Sequence, residues 1–434
     1  MLRLPILRSV ASFPRLTRTL ATIHHSPRSL FLTHDGTSLH LSGPQLTKPL
    51  SLPYAWLRDS CQCPRCVHPT TKQKLARTGD FLSSSPRSIE IKSEGLAVSW
   101  AGASEKEGTH ESQYPLSFLQ RYAEPTGQTL QVSHFDNVLA RRPWDLSRLP
   151  APLFIQYEEF MKDPLPGFVR VLRDGFMLLQ GVPTEQTEYG KTAPSAVEPL
   201  AQKFGIVRET MYGRLWDVVS KKASTNIAFT NLKLDLHMDL MYLQHPPHIQ
   251  FLHCIKTQVQ GGSSVFVDAL KAAHDLWYQD GEAFNLLAST PVEFHYENDG
   301  HHLHHSHTTI QLAPNQSWST DGPPEITNIN YCPPFQAPLP INTPLAVYSA
   351  LAKFADLLSR PETRLEQLLK PGDCAIFDNR RVLHARTAFW DERANEGDEQ
   401  ETNRWLKGCY VERDEVLNRA RGMLATREQG CDHA

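Results

Sequence analysis

A histidine–aspartate pair and a distant histidine constrain the fold of this 434-residue chain more than any other feature. His237 and Asp239 are separated by one residue and lie between two apolar runs. In a β-strand, residues i and i+2 project to the same face, so these two side chains are expected to lie together. His384 ends a mostly apolar run that a Pro-Gly turn signal introduces much later in the chain.

Two imidazoles and one carboxylate form the facial triad that holds non-haem Fe(II) in oxygenases. The sequence therefore predicts an iron site shared by His237, Asp239 and His384. A His-x-Asp pair is a weak signal by itself in a chain with 20 histidines. The alternative is a buried histidine that is hydrogen-bonded to a nearby aspartate.

A second candidate metal site lies in the amino-terminal part of the chain. Cys61, Cys63 and Cys66 fall within six positions, whereas the other five cysteines are scattered. This spacing is unlike a secreted disulfide framework and favours reduced thiols around one zinc ion. A closed zinc site needs a fourth ligand, and His110, after the strand-like segment 95–100, is the best candidate. The alternative is a set of incidental free cysteines.

Composition excludes several classes of function. The 40% hydrophobic and 21% charged content is typical of an ordinary globular protein, and 434 residues suit two or three domains. The net charge is −3 and no basic stripe is visible, so no nucleic-acid partner is expected. No apolar run approaches the roughly 20 residues that cross a bilayer, so no membrane partner is expected.

The first residues have the composition of a mitochondrial transit peptide. They are rich in arginine, serine and threonine, and no acidic residue precedes Asp35. We therefore expect a transit peptide at 1–29 and a location in the mitochondrial matrix. The alternative is a disordered basic tail, and the protein would then be cytoplasmic.

The remaining chain divides into two predicted domains. Residues 30–125 are expected to form a small α+β zinc-binding domain of short strands and turns, followed by a linker near 123–131. Residues 132–434 contain strand-like runs at 176–179, 248–255, 264–267 and 375–377, with helical spacing over 345–369. Short strands with few strand–helix–strand alternations predict a mainly β jelly roll with flanking helices.

Two conspicuous segments are expected to lie at the surface. The histidine-rich segment 301–307 follows an Asn-Asp-Gly turn signal, which favours an exposed loop or hairpin over a further metal site. The acidic segment 391–401 is predicted to be a solvated loop.

With these residues in view, the chain resembles the γ-butyrobetaine dioxygenase and trimethyllysine dioxygenase family. The motifs that carry the resemblance occur in family order, and they are PYAWLRDSCQCPRC, YGRLW, LHMD, HPPHIQFLHC, GGSS, FDNRRVLHAR and RWLKGCY. The resemblance implies a TauD-like oxygenase domain, a double-stranded β-helix, behind a zinc domain, commonly as a homodimer. It also implies Fe(II), the co-substrate 2-oxoglutarate, O₂, ascorbate as reductant, and structural zinc.

The resemblance also implies roles for particular residues. Iron falls to the His237, Asp239 and His384 triad, and zinc to the three clustered cysteines with His110. Arg404 matches an arginine that binds the distal carboxylate of 2-oxoglutarate, because its planar fork can bond both oxygens. Ser264 matches a hydroxyl that assists it. Without the motif around it, Arg404 would be read as a surface ion pair.

Substrate recognition in this family depends on aromatic rings around a trimethylammonium group, which cannot donate hydrogen bonds and is held by cation–π attraction. The matching residues are Tyr212, Trp216, Phe229 and Tyr410, and Asn226 matches an asparagine that contacts the substrate carboxylate. Tyr212 and Trp216 are four positions apart, as on one helical face, so core packing is the alternative for both.

Three departures concern the substrate. Leu240 and Phe229 stand where animal γ-butyrobetaine dioxygenases have tyrosine, and Cys332 stands where they have a second carboxylate-binding asparagine. The zinc motif and HPPHIQFLHC favour γ-butyrobetaine hydroxylation to L-carnitine. The alternatives are trimethyllysine and another quaternary ammonium compound. A non-catalytic binding protein is disfavoured because the triad, Arg404 and Ser264 are all present.

Overall fold

The computed structural model describes residues 30–46, 48–93, 95–101, 109–122, 138–185, 187–192, 194–219, 227–314, 322–390 and 403–431. The chain divides into two compact units, Met1–Leu130 and Gln131–Ala434. The predicted transit peptide, the predicted linker, the acidic loop and Asn226 lie outside the described residues. No helix in the described ranges is both long and apolar enough to span a membrane.

The first unit contains two three-stranded antiparallel sheets. One has β1 (Phe31–His34), β2 (Ser38–Ser42) and β3 (Leu50–Pro53), and the other has β4 (Pro86–Lys92), β5 (Gly95–Trp100) and β6 (His110–Pro115). Helix α1 (Tyr54–Asp59) follows β3, a 3-10 turn spans Thr78–Phe81, and α2 (Leu116–Tyr122) follows β6. Strands β3 and β6 alternate buried and exposed residues because each has one face on the core.

The second unit is built from short strands. They are β7 (Phe154–Gln156), β8 (Phe176–Gln180), β9 (Trp216–Val219), β10 (Leu234–His237), β11 (Ile249–Thr257), β12 (Gln260–Gly261), β13 (Ser264–Asp268), β14 (Pro291–Asn298), β15 (His301–Thr308), β16 (Ile310–Leu312), β17 (Ile326–Ile329), β18 (Leu365–Gln367), β19 (Cys374–Asp378), β20 (Val382–Arg386), β21 (Phe389–Trp390) and β22 (Arg404–Val411).

Two sheets form the centre of this unit. The larger has the order β7-β8-β19-β11-β22-β9 and the smaller has the order β10-β20-β13-β18. Aromatic side chains fill the space between them, with the Phe266 ring 4.7 Å from that of Phe176 and 5.5 Å from that of Phe377. Strands β13, β19 and β20 are buried along their whole length because both of their faces are covered.

Helices cover the outer faces of both sheets. In chain order they are α3 (Tyr157–Lys162), α4 (Leu165–Asp174), α5 (Val197–Phe204), α6 (Ala269–Gln279), α7 (Gly281–Ser289), α8 (Leu345–Ser359) and α9 (Arg413–Cys431). Helices α4, α5 and α9 pack on the larger sheet, and α6, α7 and α8 pack on the smaller one. The architecture is a mainly β jelly roll with flanking helices, which confirms the predicted fold class.

Two local predictions were wrong. The helical spacing over 345–369 ends early: α8 stops at Ser359, and a 3-10 turn (Pro361–Thr363) and β18 follow. Arg360 precedes a proline, which disfavours helical backbone, and it has a ψ of 136°. Tyr212 and Trp216 do not share a helix, because Gly213 has a φ of 89° and Trp216 begins β9.

The histidine-rich segment is a hairpin strand, as predicted. Strands β14 and β15 pair in register from Pro291 with Thr308 to Asn298 with His301. His301, His302 and His304 are exposed, whereas the half-buried His307 has its Nε2 3.0 Å from the Leu243 carbonyl oxygen. Within the described ranges, close groups of three or more metal-binding side chains occur only at the two predicted metal sites.

Candidate active site

Cross-strand pairing brings the two predicted iron-binding histidines together. His237, the last residue of β10, is the direct partner of His384 on β20, and their ring centroids are 4.2 Å apart. Asp239 lies two residues beyond β10. Its Oδ1 is 3.4 Å from His237 Nε2 and its Oδ2 is 3.8 Å from His384 Nε2. Met238 points away and is fully buried.

The protonation of these groups fits a divalent cation. His237 Nδ1 is 2.8 Å from the Asp235 carbonyl oxygen, which can only accept, so Nδ1 carries the proton and Nε2 offers its lone pair. Burial lowers the pKa of His384 to about 3. Burial alone would raise the pKa of Asp239, but His384, His237 and the Tyr410 hydroxyl together hold it below its usual range.

The separations also fit one shared ion. Two ligand atoms that are each about 2.1 Å from a metal can be up to about 4.2 Å apart. The separation of Asp239 Oδ1 from His237 Nε2, 3.4 Å, and that of Asp239 Oδ2 from His384 Nε2, 3.8 Å, fall within that limit. Two neutral imidazoles and one carboxylate are the donor set of a non-haem Fe(II) centre, so the residues present fit this metal.

Asn379, which sequence reasoning missed, fixes the backbone of Asp239. Its Oδ1 accepts a hydrogen bond from the Asp239 amide at 2.7 Å, and its Nδ2 donates to the carbonyls of Asp239 and Pro247, both at 3.0 Å. The next residue, Leu240, has a φ of 61°, a conformation that L-residues rarely adopt. The Asn379 clamp therefore holds an unfavourable turn directly after the aspartate.

The triad lines a cavity. The predicted 2-oxoglutarate- and substrate-binding residues that the structure describes line the same cavity. They are Tyr212, Trp216, Phe229, Ser264, Arg404 and Tyr410. The cavity is also lined by residues that sequence reasoning did not assign, among them Tyr242, Gln250, Phe335 and Arg386. Cys332 is buried in the core and is not part of this lining.

The polar end of the cavity contains two arginines with different surroundings. The Arg386 guanidinium donates to the carbonyls of Ala228, Thr230 and Leu232 at 3.0, 2.6 and 2.6 Å, so it holds the loop that carries Phe229. Arg404 is buried, and burial lowers its pKa to about 10, which leaves it charged at neutral pH.

The absence of a side chain at Gly262 leaves room for the Arg404 guanidinium. Gly262 has a φ of 74°, and a Cβ atom there would lie 3.1 Å from Arg404 Nε. The GGSS motif therefore provides both a left-handed turn and room for the guanidinium. Ser264, two residues further on, is buried in the same cavity wall.

The other end of the cavity is aromatic. The rings of Trp216 and Tyr410 are 5.2 Å apart, and the hydroxyls of Tyr212 and Tyr242 are 3.3 Å apart. Gly408 is the cross-strand partner of Trp216, and a Cβ atom at Gly408 would lie only 2.3 Å from the indole. Glycine at this position therefore lets the indole lie flat against β22.

The amino-terminal cluster has the dimensions of a zinc site. His110 Nε2 is 3.4, 3.5 and 3.5 Å from the sulfurs of Cys61, Cys63 and Cys66. In a tetrahedral site with Zn–S near 2.3 Å and Zn–N near 2.05 Å, the S···N edge is about 3.6 Å. The Arg58 guanidinium donates to Cys66 Sγ at 3.2 Å and so helps to orient this side chain.

Burial and hydrogen bonds shift the pKa values of the side chains in this cluster. It lowers the pKa of His110 to about 4, so the imidazole is neutral and can act as a ligand. It raises the pKa of Cys61 to about 11. For Cys63, hydrogen bonds from the Arg65 amide and the neighbouring cysteines outweigh burial and lower the pKa. The cluster is compatible with a structural zinc ion.

Two family models and several characterised proteins match this chain. Residues 155–410 match the model of the Taurine catabolism dioxygenase TauD, TfdA family, and residues 35–120 match the Gamma-butyrobetaine hydroxylase-like, N-terminal model. The chain is 42% identical to Dioxygenase str8 of Strobilurus tenacellus, over 85% of this chain and 84% of that protein.

Two further relatives are more distant. Gamma-butyrobetaine dioxygenase of Pseudomonas sp. (strain AK-1) is 31% identical over 84% of this chain and 88% of its own length. Mitochondrial trimethyllysine dioxygenase of Gallus gallus is 30% identical over 93% of this chain and 91% of its own length. The chain therefore belongs to the TauD/TfdA family and is a 2-oxoglutarate- and Fe(II)-dependent dioxygenase.

Proposed function

We propose that this enzyme hydroxylates γ-butyrobetaine to L-carnitine, with 2-oxoglutarate and O₂ as co-substrates. The observation that carries the proposal is the aromatic end of the cavity, where Tyr212, Trp216 and Tyr410 lie beside the triad. Ring faces attract a trimethylammonium group by about 1–2 kcal/mol per good desolvated contact. The similarity to a bacterial γ-butyrobetaine dioxygenase supports the same substrate class.

The chain's own residues would bind and orient the reactants. His237, Asp239 and His384 would hold the iron, which when bound supplies the oxidising chemistry that couples decarboxylation of 2-oxoglutarate to C–H hydroxylation. Arg404 and Ser264 would bind the distal carboxylate of 2-oxoglutarate at the polar end. The rings would place the trimethylammonium group at the opposite end, so that the carbon chain of the substrate lies beside the metal.

Trimethyllysine is the second candidate substrate. Mitochondrial trimethyllysine dioxygenases of Gallus gallus and Bos taurus are 30% identical to this chain over 93% and 85% of its length. Cys332 is buried in the core rather than facing the cavity, so the second asparagine contact expected for the carboxylate of γ-butyrobetaine has no counterpart there. This observation favours a substrate whose carboxylate is held elsewhere.

An oxygen-insertion assay separates the two candidates. Protein lacking residues 1–29 is incubated with Fe(II), ascorbate and 2-oxoglutarate, and each compound is offered separately. Mass spectrometry should detect carnitine from γ-butyrobetaine. Hydroxytrimethyllysine as the sole product would assign the enzyme to trimethyllysine. Neither product, with 2-oxoglutarate still bound, would contradict both assignments.

Replacing Trp216 with leucine should weaken binding of the trimethylammonium substrate. Loss of one cation–π contact of about 1–2 kcal/mol predicts an increase in substrate KM of roughly 5- to 30-fold, while the affinity for the co-substrate 2-oxoglutarate stays unchanged. Trp390→Leu is the matched control, because Trp390 is 65% exposed and lies outside the cavity lining. Equal effects of the two substitutions would contradict the aromatic-site assignment.

Replacing Arg404 with lysine should weaken 2-oxoglutarate binding. Lysine keeps the charge but cannot form two parallel hydrogen bonds to a carboxylate, so we expect the co-substrate KM to increase roughly tenfold or more. Steady-state kinetics with varied 2-oxoglutarate measures this. Arg77→Lys, at an exposed side chain of the other unit, should have no effect. An unchanged co-substrate KM in Arg404→Lys would remove Arg404 from the 2-oxoglutarate site.

A mitochondrial matrix location is part of the proposal. It rests on the arginine-rich, acid-poor composition of 1–29. A fluorescent protein fused after these residues should accumulate in mitochondria, whereas a diffuse cytoplasmic signal would contradict the assignment.

A further inference from the structure

We propose that Gln250 and Tyr410 are positioning residues that hold the Asp239 carboxylate in its metal-binding orientation. Both donate to the same oxygen, Asp239 Oδ2: Gln250 Nε2 at 2.8 Å and the Tyr410 hydroxyl at 2.9 Å. This inference rests on the iron site of the proposed function, and it assigns to Tyr410 a role beyond that of an aromatic ring in the substrate site.

The sheet register brings these two donors together. Gln250 on β11 and Tyr410 on β22 are direct cross-strand partners, so their side chains project to the same face. Gln250 is fully buried and Tyr410 is 2% exposed. Both side chains therefore approach Asp239 from neighbouring strands of the larger sheet rather than from a loop.

The chemistry fixes the direction of both hydrogen bonds. A carboxylate that ligates a metal is ionised and can only accept, so the amide NH₂ of Gln250 and the hydroxyl of Tyr410 must donate. Oδ2, which accepts both bonds, lies 3.8 Å from His384 Nε2, and Oδ1 lies 3.4 Å from His237 Nε2. The pair thus fixes the rotation of the carboxylate so that its two oxygens face the two imidazoles that would hold the metal.

The side-chain amide oxygen of Gln250 indicates that this residue has a functional role rather than a stabilising one. Gln250 Oε1 is buried and has no hydrogen-bond partner within the described part of the chain. An unsatisfied buried acceptor is unfavourable for folding, and an apolar residue of similar size would avoid it. A contribution to stability therefore does not account for glutamine at this position, whereas its bond to Asp239 does.

Asp239 is therefore held by hydrogen bonds to both its backbone and its side chain. Asn379 fixes the backbone of Asp239 through two hydrogen bonds, and the Gln250–Tyr410 pair fixes its side-chain rotation. Tyr410 also faces Trp216 at 5.2 Å, so one residue connects the aromatic end of the cavity with the metal ligand. Partners of this kind typically change metal affinity by about 10- to 100-fold when they are removed.

The test measures metal affinity rather than turnover. Mn(II) is titrated into iron-free protein, and free Mn(II) is followed by electron paramagnetic resonance. Mn(II) is a weak competitor for thiolates, so the cysteine cluster keeps its own metal. The variants are Gln250→Leu and Tyr410→Phe. We expect each to weaken Mn(II) binding about 10- to 100-fold.

A matched control separates positioning from stability. His253 is fully buried on the same strand, and its Nε2 lies 3.3 Å from the Val182 carbonyl oxygen, away from Asp239. His253→Leu should lower the melting temperature but keep Mn(II) affinity. Unchanged Mn(II) affinity in folded Gln250→Leu and Tyr410→Phe would overturn the inference while leaving the iron site intact. No Mn(II) binding by the unmodified protein would overturn both the inference and the proposed iron site.

Discussion

Replacing His237 with alanine is expected to abolish substrate-dependent succinate formation. Two of the three ligands would remain, and the cross-strand partner His384 would face an empty position across the sheet. We expect a loss of at least about a thousandfold in kcat/KM, which corresponds to about 4 kcal/mol of transition-state stabilisation. Succinate release measured with and without substrate, at saturating 2-oxoglutarate, tests this.

Two further variants control for indirect effects. Asp239→Asn preserves the size of the side chain but removes its charge, so a similar loss of activity would exclude a packing defect as the cause. His295→Ala changes an exposed histidine on the β14 strand and should retain full activity. Substantial activity in both His237→Ala and Asp239→Asn would contradict the iron assignment.

Replacing Cys63 with alanine is expected to release zinc and unfold the amino-terminal unit. This unit has a small core of its own, and the three thiols with His110 connect the end of α1 to the start of β6. Structural zinc sites contribute about 10–16 kcal/mol in zinc-finger peptides, far more than a small domain can lose. Elemental analysis should show one zinc ion per chain before the substitution and none after it.

Thermal unfolding separates this effect from the loss of an ordinary cysteine. Cys332→Ala removes a buried thiol of the second unit and should leave zinc content unchanged. Cys63→Ala should remove or strongly lower the transition that belongs to the amino-terminal unit. A full complement of zinc together with an unchanged melting profile would show that the cysteine cluster is not a metal site.

The identity of the candidate ligands could be predicted from the sequence because it depends on residue type and short spacing. Three cysteines within six positions and a His-x-Asp pair indicate metal chemistry before any fold is known. The fully buried strands β13 and β19 were also visible, since continuous apolar runs of that length are typical of strands covered on both faces. The structure brings these predicted ligands together into two compact groups.

The spacing of apolar residues predicted helix wrongly where a glycine or a proline restricts the backbone. The four-residue spacing of Tyr212 and Trp216 resembles a helical face, but Gly213 makes a left-handed turn between them and Trp216 pairs with β22. The predicted helix beyond Ser359 fails because Pro361 restricts the residue before it. In both cases the hydrophobic spacing was real, and backbone restrictions overrode it.

The sequence by itself determined which side chains can bind metal, because ligand chemistry belongs to the residue type. Only the tertiary structure decided which residues support them. Gln250 pairs with Tyr410 across the sheet, and both donate hydrogen bonds to Asp239, because β11 and β22 pair in one particular register. A shift of one residue would turn each side chain to the opposite face. Asn379 reaches Asp239 across 140 residues of chain for the same reason, since long-range pairing sets its position and no local pattern records it.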